Sequence, residues 1–182
     1  ALLSAWWLVL VGVACIAGAW FYTGGDNPYG YRGLGEVAVF VFFGLVAVLG
    51  TEFTQSGRIS WPGVVSAVAV GAISASVNLA NNLRDIPSDT EAGKVTLAVR
   101  LGDAGTRKAW VALACMPLIA SVALAFATPW ALAGLVAAPL IFIASRPVTG
   151  NAKGPALIPV LGMAGRAMLL WAVVTALALA LG

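Results

Sequence analysis

The sequence contains no histidine, so it lacks the side chain that enzymes most often use as a general base and as a transition-metal ligand. Charged residues are also scarce, at 9% of the chain, and a net charge of +3 is too small to indicate a nucleic-acid partner. Cys15 and Cys115 lie inside apolar runs without metal-ligand spacing, which favours two buried thiols. Any chemistry must therefore use carboxylates, amides, lysine, arginine or tyrosine.

Apolar side chains are what the sequence has in excess. They make up 61% of its 182 residues, with a mean hydropathy of +0.98, and a soluble domain of this size cannot bury that fraction. We therefore predict an all-α fold, a polytopic transmembrane helix bundle that forms a single domain over residues 1–182. Six apolar segments approach the roughly 20 residues that cross a bilayer as a helix. Their approximate bounds are Leu2–Tyr22, Leu34–Thr51, Ile59–Asn82, Ala109–Ala127, Pro129–Ser145 and Pro155–Leu181.

Small residues recur in the third predicted span, in the run GVVSAVAVGAISAS. In membranes, helices associate mainly by close backbone approach, which small residues permit. We therefore expect the third span to pack tightly against its neighbours.

Basic residues are distributed unevenly between the two ends of the predicted bundle. The second connection has only Arg58, whereas the first, third and fifth connections hold most of the others. Because lysine and arginine are enriched in cytoplasmic loops, we predict a multi-pass plasma-membrane protein whose three basic connections and active site are cytoplasmic. The residues in these three connections are Arg32, Arg84, Lys94, Arg100, Arg107, Lys108, Arg146 and Lys153.

Both ends of the chain then face outward. The chain starts at Ala1 and enters an apolar stretch directly, without the basic region or small-residue cleavage site of a signal peptide. We therefore expect that an N-terminal segment of the same protein, with an odd number of spans, precedes this chain.

The polar residues gather in the stretch NLANNLRDIPSDTEAGKVTLAVRLG, residues 78–102. Its Asn78, Asn82, Asp85 and Asp89 follow the spacing i, i+4, i+7, i+11, which places them on one face of a continuous helix. Pro87 disfavours helical geometry at the preceding residue and removes a hydrogen-bond donor. We therefore expect the helix to end at about Asp85, the chain to kink, and Asp89 to turn back toward the same space.

Two carboxylates with amide oxygens one turn below them suit Mg²⁺, which is usually held by one or two carboxylates plus substrate phosphates. Arg84, Lys94 and Arg100 are close enough in sequence to meet the remaining phosphate oxygens. The alternative is a solvated loop whose acids and bases simply pair with one another. Polar groups at a helix end near the membrane are usually functional, so the metal site stays open beside that alternative.

The stretch NNLRDIPSDTEAGKVTLAVRLG resembles the second aspartate-rich motif of the UbiA-type intramembrane prenyltransferases. Its form is closest to the branch of that family that prenylates 1,4-dihydroxy-2-naphthoate in menaquinone biosynthesis. A second stretch, YTGGDNPYGYRGLGEVAVFVFFG from Tyr22 to Gly44, resembles a Gly- and Tyr-rich loop and the following helix of the same branch. Together the two stretches cover about a quarter of the chain.

The resemblance implies a bundle of nine transmembrane helices around a central cavity, with a cytoplasmic aspartate-rich cap. It implies Mg²⁺-dependent transfer of a polyprenyl group from a polyprenyl diphosphate to the aromatic acid 1,4-dihydroxy-2-naphthoate, with loss of CO₂. No protein nucleophile is required in such a reaction, so the lack of histidine is no obstacle. Lipid and the two substrates are the expected partners.

These arguments give two groups of candidate site residues. The candidate catalytic residues are Asp85, Asp89, Asn82, Arg84 and Lys94, with Asp85 and Asp89 as the Mg²⁺ ligands. The candidate substrate-binding residues are Asn78, Asn81, Tyr22, Arg32, Arg100 and Arg166.

Arg166 is a lone cation about 10 residues into the last predicted span. At that depth an arginine is costly unless it faces a cavity or an anion, which favours contact with the acceptor's carboxylate or with diphosphate. Alternatively, the span begins after Pro159 and Arg166 extends to the membrane surface.

The sequence departs from the family in lacking a first aspartate-rich motif between the second and third helices. It has six predicted spans instead of nine and resembles the C-terminal two-thirds of such an enzyme. We therefore expect half of a metal site and no turnover by this chain alone. Two other functions stay open: a family member with a different aromatic acceptor, and a cation transporter, which should bury its polar cluster near the bilayer midplane in broken helices.

Overall fold

The computed structural model describes residues 6–182, and all regular elements among them are helices. Five helices are long and apolar enough to cross a membrane, and the first helix is apolar but shorter. The all-α fold is therefore confirmed, and the chain is a multi-pass membrane protein. Leu2–Ala5 of the first predicted span lie outside the described residues. The helices are α1 (Trp7–Thr23), α2 (Gly35–Ser56), α3 (Trp61–Glu91), α4 (Leu97–Leu124), α5 (Pro129–Thr149) and α6 (Gly154–Leu181).

Helix α3 is the centre of the bundle and packs against α2, α4 and α6. Its buried positions are mostly alanine, serine and glycine, as the small-residue run predicts. At the α2–α3 crossing, a Cβ on Gly44 would lie 2.6 Å from Gly71 Cα. The two helix backbones can approach this closely only because both positions are glycine. The crossing falls within Phe40–Leu49, a π-helical stretch of α2. It holds the antiparallel helices together and brings the start of α2 beside the last third of α3.

The predicted kink after Asp85 is wrong, because α3 continues through Pro87 to Glu91. Proline lacks only its own N–H, so one backbone hydrogen bond is lost close to the helix end. Hydroxyl groups engage carbonyl groups of this last turn: Ser88 Oγ donates to Asp85 O at 3.0 Å and Thr90 Oγ1 to Ile86 O at 2.7 Å. Because Pro87 lies about one turn from the end of α3, the helix continues despite the lost bond.

Helix α4 begins twelve residues before the predicted position, at Leu97 instead of about Ala109. The side chain of Thr96 caps it by accepting a hydrogen bond from Val99 N at 3.4 Å. The helix is interrupted at Gly102, whose φ of 68° and ψ of 175° are not helical. Thr106 Oγ1 bridges this break by donating to Gly102 O at 2.7 Å. The connection between the third and fourth spans is thus short and ordered.

The three basic connections lie at the same end of the bundle. Val95 N donates to Tyr31 O at 2.9 Å, which joins the α1–α2 and α3–α4 connections. Arg107, buried in α4, donates to Val148 O at 2.6 Å and to Ala152 O at 2.8 Å, which joins α4 to the α5–α6 connection. Asp103 holds the same guanidinium through two further bonds. The alternation of the helices therefore places these connections together, as the charge pattern predicts.

Candidate functional site

The polar face of α3 is continuous. Because the helix does not break at Pro87, Asn78, Asn82, Asp85 and Asp89 lie on one face, with the two aspartates one turn apart. Side chains at i and i+4 have Cβ atoms about 6 Å apart, which allows both carboxylates to reach a common ligand. The shared face that the spacing predicts is present, although it arises from a continuous helix and not from a chain that turns back after Asp85.

Each aspartate is paired with a base from the same stretch of chain. Arg84 contacts Asp85 through two bonds, Nε to Oδ1 at 2.7 Å and Nη2 to Oδ2 at 2.8 Å. Lys94 Nζ lies 3.7 Å from Oδ1 of Asp89, whose side chain is buried. The Arg84–Asp85 pair is partly exposed on both sides, and such pairs contribute about 0–1 kcal/mol, so an incoming cation and anion can replace it. The arrangement collects two carboxylates and two cations at one point on the surface.

A buried polar cluster lies on the same face, just below the aspartates. Glu36, at the start of α2, is 4% exposed and its Oε1 accepts a 2.7 Å bond from Asn82 Nδ2. Asn78 lies one turn further down α3, beside Gly35 and the Tyr22 hydroxyl. Glu36 is not among the site residues that the sequence motifs predict. A lone carboxylate at the start of an apolar span was the signal that could have found it.

The Gly- and Tyr-rich connection docks on this end of the bundle. Tyr29 Oη donates to Gly18 O at 2.6 Å, and burial raises the pKa of this hydroxyl above its usual range, so it stays protonated. Lys94 Nζ lies 4.6 Å from the centre of the Tyr31 ring, a cation–π contact. Arg100 Nη2 donates to the backbone oxygen of Arg32 at 2.8 Å. Both arginine side chains remain exposed and border a surface groove of about 360 Å³.

Two candidate residues stand apart from this group. Asn81 is half-buried and Arg166 is exposed on α6, and neither makes a side-chain hydrogen bond or ion pair within residues 6–182. Helix α6 opens with a short 3-10 turn at Gly154–Leu157 and continues through Pro159. Arg166 therefore lies inside a continuous helix, on its exposed side.

An apolar cavity of about 530 Å³ opens between α1 and α2. Its lining includes Cys15, Ala38, Phe42 and the side chain of Tyr22. The hydroxyl of Tyr22 reaches the polar cluster beside Gly35. The same residue therefore contacts an apolar compartment and the buried polar groups under the aspartates.

The oxygen ligands at this site suit a magnesium ion that takes its remaining ligands from water and a substrate. Within residues 6–182, no three Cys, Asp or Glu side chains form a metal-binding group. What the site offers is the carboxylate pair of Asp85 and Asp89, both hard oxygen ligands. Mg²⁺ commonly takes one or two carboxylates and completes its octahedron with water and phosphate oxygens, so the residues present fit the ion.

Comparison with known proteins identifies the family. A model of the UbiA prenyltransferase family matches residues 1–157. The chain belongs to the UbiA prenyltransferase family. The resemblance carried by the two motifs in residues 22–44 and 81–102 is thereby confirmed.

Several relatives share one name. The chain is 59% identical to the 1,4-dihydroxy-2-naphthoate octaprenyltransferase of Mycobacterium tuberculosis over 182 residues, which is 100% of this chain and 62% of that protein. The Mycobacterium leprae protein of the same name gives 59% over 181 residues, again 62% of its length. The protein of that name from Escherichia coli is 38% identical over 159 residues, 85% of this chain and 51% of that protein. The chain thus spans less than two thirds of these relatives' length. No solved structure matches it.

Proposed function

We propose that this chain is part of a membrane prenyltransferase that transfers a polyprenyl group from a polyprenyl diphosphate to 1,4-dihydroxy-2-naphthoate in menaquinone biosynthesis. The transfer is Mg²⁺-dependent, and the prenyl group replaces the acceptor's carboxylate, which leaves as CO₂. The names of the relatives support the acceptor. The observation that carries the proposal is the pair Asp85 and Asp89 on one face of α3, with Arg84 and Lys94 beside them.

The charged residues act on the diphosphate. Asp85 and Asp89 would hold Mg²⁺, and the ion would supply positive charge to offset the negative charge on the departing diphosphate. Arg84 lies 2.7 Å from Asp85, and Lys94 lies 3.7 Å from Asp89. Each base exchanges its aspartate for phosphate oxygens when the diphosphate binds. Arg100 and Arg32, exposed at the edge of the same end, extend the positive field toward the approaching substrate.

The prenyl chain lies in an apolar compartment. The cavity between α1 and α2 has the composition that a hydrocarbon tail requires, and Tyr22 connects its wall with the polar cluster. A tail in this cavity and a diphosphate at Asp85 and Asp89 would place the reacting carbon between them. Excluding water there protects the allylic cation from hydrolysis.

The site faces the cytoplasm from the plasma membrane. Support comes from the end of the bundle where the three connections meet, because eight of the ten basic residues lie in these connections or in the adjoining parts of the helices. The positive-inside rule places such connections in the cytoplasm.

The transporter alternative receives no support from the fold. Helix α3 is unbroken where it carries the polar residues, and the cluster lies near the end of the helix. Transporters typically bind ions where paired helices unwind near the membrane midplane. We also infer that the part of the relatives' length beyond this chain contributes the other half of the metal site, so turnover needs the intact protein.

The test uses the intact protein with whatever native sequence flanks residues 1–182. Purified protein in detergent is mixed with Mg²⁺, a polyprenyl diphosphate and 1,4-dihydroxy-2-naphthoate, and the prenylated product is quantified by mass spectrometry. We expect Asp85→Asn and Asp89→Asn each to lower kcat by at least about 100-fold, because charge stabilisation in the transition state is lost. Asp26→Asn, at an exposed aspartate of the same end, is the matched control and should keep full activity. Normal turnover by both site variants would rule out this mechanism.

A further inference from the structure

Two buried polar atoms under the aspartates lack partners. Glu36 Oε2 and Asn78 Nδ2 are shielded from solvent, and neither has a hydrogen-bond partner within residues 6–182. One is an acceptor and the other is a donor. Buried polar atoms are nearly always satisfied, so an unsatisfied acceptor and an unsatisfied donor in this cluster are candidate ligand contacts.

Asn78 reaches the start of α2 next to Glu36. Glu36 follows Gly35 in sequence, and a Cβ on Gly35 would be 3.2 Å from Asn78 Nδ2 and 3.2 Å from the Tyr22 hydroxyl. A side chain at position 35 would therefore crowd both polar groups. The glycine therefore allows Asn78 and the Tyr22 hydroxyl to approach the start of α2.

Asn82 fixes which oxygen of Glu36 is free. Its Nδ2 donates to Oε1 at 2.7 Å, which holds the carboxylate and leaves Oε2 for another donor. Asn82 is thus a positioning residue for Glu36. Because Asn78, Asn82 and Asp85 follow one another along one face, the free atoms lie directly below the proposed diphosphate position.

We propose that Glu36 Oε2 and Asn78 Nδ2 recognise the aromatic acceptor through a ring hydroxyl and the carboxylate next to it. The hydroxyl donates to Oε2, and a carboxylate oxygen accepts from Nδ2. This inference rests on the proposed function, since 1,4-dihydroxy-2-naphthoate carries such a neighbouring pair at positions 1 and 2. A hydrogen bond from the hydroxyl to a carboxylate also raises the electron density of the ring, which favours attack on the allylic cation.

The experiment measures binding, so it does not depend on turnover. The intact protein in detergent is titrated by calorimetry with two probes, 1-hydroxy-2-naphthoate and 2-naphthoate, which differ only in the hydroxyl. The wild-type protein should bind the hydroxylated probe at least about tenfold more tightly, the effect of one hydrogen bond to a charged group. Glu36→Gln, in which an N–H faces the ring hydroxyl, should abolish this preference.

Two further variants make the result decisive. Asn78→Leu should weaken both probes by a similar factor of about ten, because both carry the carboxylate. Glu52→Gln, the same change at the opposite end of the bundle, should keep the wild-type preference. If Glu36→Gln does not fold, Glu36→Asp replaces it; the shorter carboxylate should reduce the preference at least threefold.

An unchanged preference in the Glu36 variant, or no preference in the wild-type protein, overturns the inference. These results are separable from a failure of the proposed function. If the wild-type protein transfers no prenyl group but prefers the hydroxylated probe, the proposed function alone fails. If it transfers normally and Glu36→Gln keeps the preference, only the role of Glu36 fails.

Discussion

Asn82 donates a 2.7 Å hydrogen bond from Nδ2 to Glu36 Oε1 and so links the start of α2 to the face of α3 that carries Asp85. The bond spans 46 residues of sequence and is partly buried. It connects two parts of the site that the sequence shows separately, the Gly- and Tyr-rich stretch and the aspartate-rich stretch. The two family motifs are thus one structural unit.

The first prediction concerns the stability that this bond provides. Asn82→Leu leaves the Glu36 carboxylate buried with neither oxygen satisfied, so the free energy of unfolding should fall by roughly 1–3 kcal/mol. Thermal unfolding in detergent measures the change. Combining Asn82→Leu with Glu36→Gln should recover part of the loss, because a neutral amide is cheaper to bury than a carboxylate. Additive losses in the double variant would show that the two residues are not coupled.

The second prediction concerns the buried guanidinium of Arg107. Lysine at this position keeps the charge but cannot hold Asp103, Val148 O and Ala152 O together, so Arg107→Lys should destabilise the protein by about 2 kcal/mol. The melting temperature in detergent measures this. Lys108→Gln, at the exposed neighbouring position, should leave it unchanged. Equal melting temperatures for Arg107→Lys and wild type would show that the hydrogen bonds of the Arg107 guanidinium do not stabilise the protein.

The third prediction concerns the glycine crossing of α2 and α3. A Cβ on Gly71 would lie 2.8 Å from Phe40 O, so Gly71→Val should separate the helices and lower stability by about 1–3 kcal/mol. Gly162→Ala is the control, because no atom lies within 4 Å of its Cβ position. Proteolysis of the purified variants over time reports the loosening. If both variants resist protease equally, the close approach is not important for packing.

The fourth prediction separates the two cations beside the aspartates from the remaining basic residues. Arg84→Gln and Lys94→Gln should each raise the KM for the polyprenyl diphosphate about tenfold, because each removes one charge-assisted contact to phosphate. Arg58→Gln, which removes a cation at the opposite end, should leave KM unchanged. The measurement is initial-rate kinetics of the intact protein at saturating acceptor. A KM that rises equally in all three variants would indicate a general charge effect.

The sequence was sufficient for the helical fold, the family and the common end of the three basic connections, because hydropathy, two motifs and charge placement depend on local residues. It was misleading at Pro87, where a general rule against proline in helices predicted a kink. That proline lies near a helix end, where little hydrogen bonding is lost. The sequence also could not show that Glu36 contacts Asn82, since that contact depends on how α2 and α3 cross.

The central claim is that Asp85 and Asp89 together bind a divalent ion and the diphosphate of a prenyl donor. The most direct measurement is calorimetric titration of the intact protein with a non-reactive polyprenyl thiolodiphosphate, with and without Mg²⁺. We predict that binding to the wild-type protein requires Mg²⁺. Asp85→Asn and Asp89→Asn should each weaken this binding at least about tenfold. Mg²⁺-independent binding, or equal affinity in the wild-type protein and both variants, would contradict the account.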